Sequence, residues 1–490
     1  MRKAIPILVG PLSFLLIMLT PPFTGMSDTA HSALASTVWI AIWWVTEAIP
    51  VPVTSLLPLV LFPLTGVMEI RQTAGPYANP LIYLFIGGFV LALAMEKWNL
   101  HRRIALTIIH MVGTNMRQLI LGFILACGFL SMWISNTATT VMMLPIALSI
   151  VTQFKEFNAN SDRKIPGADV FPLALILALP YSASIGGMAT LVGTPTNLIF
   201  IDSVERIYNT SIPFAEWMAV GFPIAVIMLF VTWFHLTRTA FNISNEVVPG
   251  SKQIIEQELK KLGPIKYEEK WVLTIFGCVA FSWILRSYII SPFFPAVDDT
   301  IIVLIGAALL FIIPDREKQQ QLMDWETALK LPWGVLILFG GAFSVAAAFA
   351  ESGLTAWIGD QLSGLGSVPF WLALLIIVAV VNYLTEVTQN MATCTLMMPI
   401  MAALAGVIGV HPFPLMTATC IASSCAFMLP VATAPNAVVF GSGFIKMKDM
   451  VRAGFMLNIL SILVIVFVVY FLLPAVWGID MMSFPEEMKK

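Results

Sequence analysis

Apolar runs of about twenty residues, each long enough to cross the hydrocarbon core of a bilayer, recur along the whole chain. They fall near residues 4–20, 33–49, 50–67, 80–97, 172–202, 213–236, 271–291, 299–314, 332–350, 415–442 and 453–476. Two further stretches, about 118–153 and 369–410, are equally apolar but carry a polar knot in the middle. Of the 490 residues, 58% are hydrophobic and 11% charged, too little charge to coat a water-soluble particle of that size. The expected fold is therefore an all-α polytopic membrane protein with about 11 transmembrane helices. A net charge of −2 gives no reason to expect a nucleic-acid partner. Cys127, Cys278, Cys394, Cys420 and Cys425 form no CxxC pair and are expected as buried small residues. Trp39, Trp43, Trp44 and Trp217 suit either interfacial belts or packing within the helix bodies.

Lysine and arginine set the orientation. With the N-terminus in the cytoplasm and each knotted stretch returning to the side it entered from, cytoplasmic ends and loops hold 21 of the 26 basic residues. Arg2 and Lys3 precede the run Ala4 to Leu19 with no small-x-small cleavage site close behind, which reads as an uncleaved first helix. The expected location is the cell (inner) membrane, with the C-terminus external. The expected divisions are 1–32, a first helix and outer loop; 33–236, a first repeat; 237–270, a cytoplasmic connector with a short amphipathic helix; 271–476, a second repeat; and 477–490, an external tail.

The repeat is visible in the residues. SNTATTVMMLPI (135–146) lies over QNMATCTLMMPI (389–400), matching at Asn136/Asn390, Ala138/Ala392, Thr139/Thr393, Met143/Met397, Pro145/Pro399 and Ile146/Ile400. SIGGMATLVGTPTN (184–197) lies over SSCAFMLPVATAPN (423–436), matching at Ser184/Ser423, Val192/Val431, Thr194/Thr433 and Asn197/Asn436. Under the topology above, five crossings separate corresponding elements, so the second copy is inverted. Such repeats place a substrate site at their interface near the midplane.

Both matches fall on polar knots. The stretch 172–202 is too long for one straight span and is interrupted by Gly186, Gly187, Gly193 and Pro195; Pro430 and Pro435 interrupt 415–442. Broken helices expose amides that attract anions and carbonyls that coordinate small cations. The SNT and QNM knots read either as tips of re-entrant hairpins or as turns between complete spans. Neither knot has the glycine, charge or length of an exposed turn, which favours hairpins.

Ionisable residues at membrane depth are few: Glu47, Glu96, Arg286 and Glu386. Glu47 and Glu96 are expected to snorkel from helix ends, and Arg286 to sit near the outer interface. Glu386 could stabilise its hairpin, take up a proton or supply negative potential for a cation. No lysine or arginine is available to a dianion, so helix dipoles, hydroxyls and co-bound cations must offset its charge. An intramembrane enzyme would need a paired nucleophile and base or a metal cluster; His31, His101, His110, His235 and His411 are scattered and no such motif occurs.

In SSCAFMLPVATAPNAVV (423–439), SNT (135–137) and GTPTN (193–197), the chain resembles the divalent anion/sodium symporter family of dicarboxylate, citrate and sulfate carriers. The resemblance implies sodium-coupled uptake of a di- or tricarboxylate of the succinate, malate and citrate class. It also implies an elevator-type motion within a lipid-embedded homodimer, with Na+ as the co-transported ion. A sodium-independent anion exchanger or a sulfate carrier on the same scaffold is the alternative. Position by position, the resemblance implies one cation site at Ser131, Ser135, Asn136 and Gly193 and another at Thr385, Thr388, Asn390 and Ala432. It implies substrate contacts at Asn136, Thr137, Thr194, Asn390 and Thr433. The second tip departs from the family pattern: Gln389 and Met391 flank Asn390 where hydroxyl residues are usual. The second half of the site is accordingly expected to hold a carboxylate less well.

Overall fold

A computed structural model describes residues 4–160, 166–316, 320–362 and 368–488. Arg2, Lys3, Arg163, Lys164, Lys318, Lys489 and Lys490, used above for orientation, lie outside these residues. Among the described residues the regular structure is helical, apart from two isolated β-bridges, Asn115 with Val247 and Pro314 with Gln321. Seven helices are long and apolar enough to cross a membrane: Ile70–Lys97, Asn136–Asn158, Phe214–Ala240, Tyr267–Ile290, Trp333–Glu351, Asn390–Ile408 and Met447–Trp477. Six shorter apolar helical segments accompany them.

Each knotted stretch forms two helices joined at its knot. In the first, Met116–Ser131 opens on a capping box between Asn115 and Gln118, and Asn136–Asn160 follows after a four-residue tip, 132–135. In the second, Phe370–Leu384 is followed by a tip at 385–389 and then Asn390–Ile408. The long apolar stretches are broken where glycine and proline interrupt them. Phe171–Gly187 and Pro195–Tyr208 flank an unwound loop at 188–194, and Pro412–Ser423 and Ala434–Gly441 flank another at 424–433. Proline in the first turn starts both downstream half-helices, where its missing amide costs nothing.

The two halves interlock. Asn136–Asn160 packs against Ala434–Gly441 of the other half, and Asn390–Ile408 packs against Pro195–Tyr208. Glycines permit the closest approaches: a Cβ on Gly186 would collide with the backbone carbonyl of Gly128 on the first hairpin, and one on Gly454 with that of Phe427. Outside this interlocked core, Asp28–Thr46 and Trp333–Glu351 share a second apolar cluster with the segment near residue 61 and helix Leu354–Leu362.

Several expectations change. Residues 50–67 form not one span but two short helices, Val51–Thr54 and Pro58–Leu64, because Pro58 has no amide with which to continue the first. The basic stretch after Lys97 is itself a helix, Leu100–Val112, packed against the first hairpin and against connector helix Ser251–Leu262. Arg102 pairs with Glu258 there, and Arg103 Nε lies 2.5 Å from Glu269 Oε2. Trp44 and Trp217 are fully buried, so they pack within the helix bodies. Four cysteines are buried, but Cys278 is exposed on the thinly packed helix Tyr267–Leu285. Arg286 is mostly buried, its Nε 3.2 Å from Asp299 Oδ1.

Candidate functional site

The tips and the unwound loops meet around one cavity of about 990 Å³. Ser135, Asn136 and Thr137 reach it from the first tip, Gly193, Thr194 and Pro195 from the first loop. Thr388, Gln389, Asn390 and Met391 come from the second tip, Ala432, Thr433, Ala434 and Pro435 from the second loop. Four helix N-termini, at Asn136, Pro195, Asn390 and Ala434, therefore converge on one space. Phe85, Phe89, Val335 and Leu338 supply an apolar wall. Among its described lining there is no lysine or arginine, and Glu47 is the one ionisable residue.

All five residues singled out for substrate, Asn136, Thr137, Thr194, Asn390 and Thr433, lie on this wall. Of the residues singled out for cations, Ser135, Asn136, Gly193, Thr388, Asn390 and Ala432 also lie on it. Ser131 and Thr385 stand one layer behind, fully buried. Ser131 Oγ donates to Asn136 Oδ1 at 2.5 Å, and Thr385 Oγ1 donates to Asn390 Oδ1 at 2.8 Å. Thr385 is 254 residues after Ser131, the offset that relates the two asparagines, so the contact obeys the repeat. Each hydroxyl thereby fixes the amide oxygen of the asparagine at its tip.

The loops obey the repeat as well. Asn197 Nδ2 donates to the carbonyls of Gly187, Met188 and Thr190 at 3.2, 3.4 and 2.7 Å. Asn436 Nδ2 donates to those of Ala426 and Leu429 at 3.0 and 3.1 Å. Ala426 and Leu429 follow Gly187 and Thr190 by 239 residues, as Asn436 follows Asn197. Both asparagines are fully buried. Unwound backbone in lipid needs internal partners, and these two side chains provide them. They were visible as a matched pair in the sequence, but their role was not, because a repeated asparagine does not reveal what it bonds.

Glu386 performs the first of its expected alternatives. Its carboxylate is buried and accepts from the backbone amides of Phe427, Met428 and Leu429 at 2.7, 2.9 and 3.1 Å, and from Asn458 Nδ2 at 2.7 Å. It thereby ties the second loop to the second hairpin. In the first half the equivalent tie is Thr190 Oγ1 donating to the Met132 carbonyl at 2.5 Å. Asn458 belongs to Met447–Trp477 and was not singled out from the sequence. Glu96 is exposed at the end of its helix, as expected. Glu47 is likewise exposed at the end of its helix, and it also lines the cavity and accepts from Gln389 Nε2. Among the described residues no cluster of three His, Cys, Asp or Glu side chains is positioned to hold a metal ion.

The comparisons with known proteins agree with this geometry. The chain is 44% identical over 482 residues to the sodium-dependent dicarboxylate transporter SdcS of Staphylococcus saprophyticus, covering 98% of this chain and 93% of the relative. It is 44% identical over 483 residues to SdcS of Staphylococcus aureus, covering 98% and 92%. Among solved structures, MtrF of Neisseria gonorrhoeae, described within a class of antimetabolite efflux pumps, superposes with a TM-score of 0.58 at 13% identity, covering 84% of this chain and 83% of that one. The YdaH transporter of Alcanivorax borkumensis gives 0.57 at 13% identity, covering 91% and 98%. At that identity the likeness concerns the fold alone. The family described as the sodium:sulfate symporter transmembrane region matches residues 3–480. With the match spanning both tips and both unwound loops, the chain belongs to the sodium:sulfate symporter family, a family of membrane transporters rather than of enzymes.

Proposed function

We propose that this protein takes up a di- or tricarboxylate of the succinate, malate and citrate class across the cell membrane together with sodium ions. The observation that carries the reading is the convergence of four helix N-termini on a cavity whose described lining holds no lysine or arginine. Each N-terminus carries roughly half a positive charge, so the four together present on the order of two, the charge of a dicarboxylate. Asn136, Thr137, Thr194, Asn390 and Thr433 contact the anion. One sodium ion sits among Ser131, Ser135, Asn136 and Gly193, and the other among Thr385, Thr388, Asn390 and Ala432. Co-bound sodium offsets the charge that dipoles leave exposed, notably that of Glu47. The relatives named sodium-dependent dicarboxylate transporters support the same cargo.

In this reading residues 33–236 and 271–476 are inverted repeats, joined by the cytoplasmic connector 237–270. The N-terminal segment 1–32 begins in the cytoplasm, and the tail 477–490 is external. The tips and loops move as one body against the rest of a lipid-embedded homodimer. The family's description favours sulfate as the second candidate cargo. Uptake into proteoliposomes of succinate, malate, citrate and sulfate, each with an imposed sodium gradient or none, tests the proposal. Sodium-stimulated carboxylate uptake is expected. Sulfate uptake alone, or uptake indifferent to sodium, overturns it.

A further inference from the structure

Two polar side chains meet across the cavity in a way the repeat does not require. At the first tip Ser135 caps its own helix, its Oγ accepting from the Ala138 amide at 3.2 Å. At the equivalent place in the second tip Gln389 makes no cap bond. Its amide reaches across the cavity instead and donates to the Glu47 carboxylate, 342 residues away. Glu47 is held for this contact in an unusual backbone state. It ends helix Asp28–Thr46 with φ 47° and ψ 42°, the left-handed region that glycine favours and glutamate rarely enters. Conformations of that kind persist where surrounding structure fixes them, and they cluster at functional sites. Val51 and Pro52, just beyond it, line the same cavity as Gln389.

We infer that Glu47 is a built-in competitor of the substrate: its carboxylate occupies the Gln389 amide that a substrate carboxylate takes over on binding. The two groups are chemically the same, an anionic carboxylate accepting from a primary amide. They share one cavity, and Glu47 is its only ionisable described residue. At the second tip the flanking hydroxyls are replaced by Gln389 and Met391, and a thioether is only a weak acceptor. The Gln389 amide is thus the donor this half of the site gains in their place. While Glu47 holds it, only a fraction of the protein is competent, and apparent affinity falls by that fraction. This inference rests on the proposed carboxylate transport. A charge-assisted hydrogen bond at a wet cavity wall of this kind lowers apparent succinate affinity roughly three- to tenfold.

The test compares Glu47→Asp and Glu47→Asn in wild-type and Gln389→Ala backgrounds. Both replacements tolerate the left-handed backbone and both are one methylene too short to hold Gln389, while only Asp keeps the charge. Apparent affinity for succinate is measured by sodium-driven uptake and by direct binding to the purified, monodisperse protein. Glu47→Asp is expected to tighten affinity roughly three- to tenfold. The same change in the Gln389→Ala background is expected to leave affinity where Gln389→Ala alone puts it. An unchanged or weaker affinity for Glu47→Asp overturns the inference, as does an equal effect in both backgrounds. Tightening by Glu47→Asn alone means that Glu47 acts by charge and not by occupying Gln389, which also overturns it. If the wild type neither binds nor carries succinate, the transport reading fails first, and that result is distinct from variants that leave a working wild-type affinity unmoved.

Discussion

Replacing Asn197 with alanine removes the amide hydrogens that hold the first unwound loop. Its Nδ2 has two hydrogens for three carbonyls, those of Gly187, Met188 and Thr190, so two full bonds are lost. The residue is fully buried. The Met188 and Thr190 carbonyls keep the Trp217 Nε1 and Gly193 amide donors, so the Gly187 carbonyl alone is left without a partner, and the change should cost about 1–3 kcal/mol. Total stabilities are on the order of 5–15 kcal/mol, so a loss of this size is readily measured. Because Asn436 makes the corresponding bonds to Ala426 and Leu429, Asn436→Ala should cost a similar amount. Each asparagine lies four residues after the loop residue assigned to a cation, Gly193 or Ala432. The sodium concentration for half-maximal uptake should therefore rise in both variants. Chemical unfolding in detergent measures the first effect and sodium titration of uptake the second. A loss below about 1 kcal/mol with unchanged sodium dependence in either variant would show that the loops hold themselves, and the reasoning would be wrong.

Asn136→Ala and Asn390→Ala should each abolish sodium-stimulated uptake while the protein still inserts and folds; normal uptake by both removes the basis of the cation-site assignment. Gly187→Ala would put a Cβ 2.7 Å from Asn136 Oδ1 and 3.0 Å from the Gly193 carbonyl. Overpacking of that kind costs about 1–3 kcal/mol, so sodium affinity should fall, whereas Gly277→Ala, with no atom within 4 Å, should behave as wild type. In a Cys278→Ser background, a cysteine at Lys252 should be labelled only from the cytoplasm and one at Met482 only from outside. Labelling of both from one side contradicts the inverted repeat. Lys97 Nζ lies 2.6 Å from Asp324 Oδ2, and that hydrogen bond holds the Asp324 carboxyl down to about 2. Its folded value is below the free one, so the contribution is present above about pH 4 and lost as pH falls through about 2. Asp324→Asn should cost about 0.5–1 kcal/mol, unchanged from pH 8 to pH 5. A cost that grows on acidification within that window would refute the pairing.

Much of the site was legible in the residues because lipid penalises polar groups so heavily. A knot such as Ser135-Asn136-Thr137 inside an apolar run, or Gly193 and Pro195 in a span too long to be straight, has no inexpensive structural reason to exist. Such knots therefore mark where backbone must be used for something. The orientation signal and the repeat were equally local, read from which residues occur and in what order. Residues 50–67 were misread for a related reason: hydrophobicity measures affinity for lipid, while Pro58 decides that the helix begun at Val51 cannot continue.

By itself, then, the sequence determined that the chain lives in a membrane, where its helices break, and that its two halves share a plan. Only the tertiary structure decided what the remaining polar side chains do. Asn197 reaches ten residues back, Glu386 about forty residues on to Phe427 and seventy-two to Asn458, and Gln389 across 342 residues to Glu47. A buried polar group must find a partner, but the requirement does not say which one. That choice is made when helices distant in the chain pack side by side. Glu47 shows the difference most plainly: the sequence puts it near a helix end, and only the structure shows that it shares the cavity with Gln389.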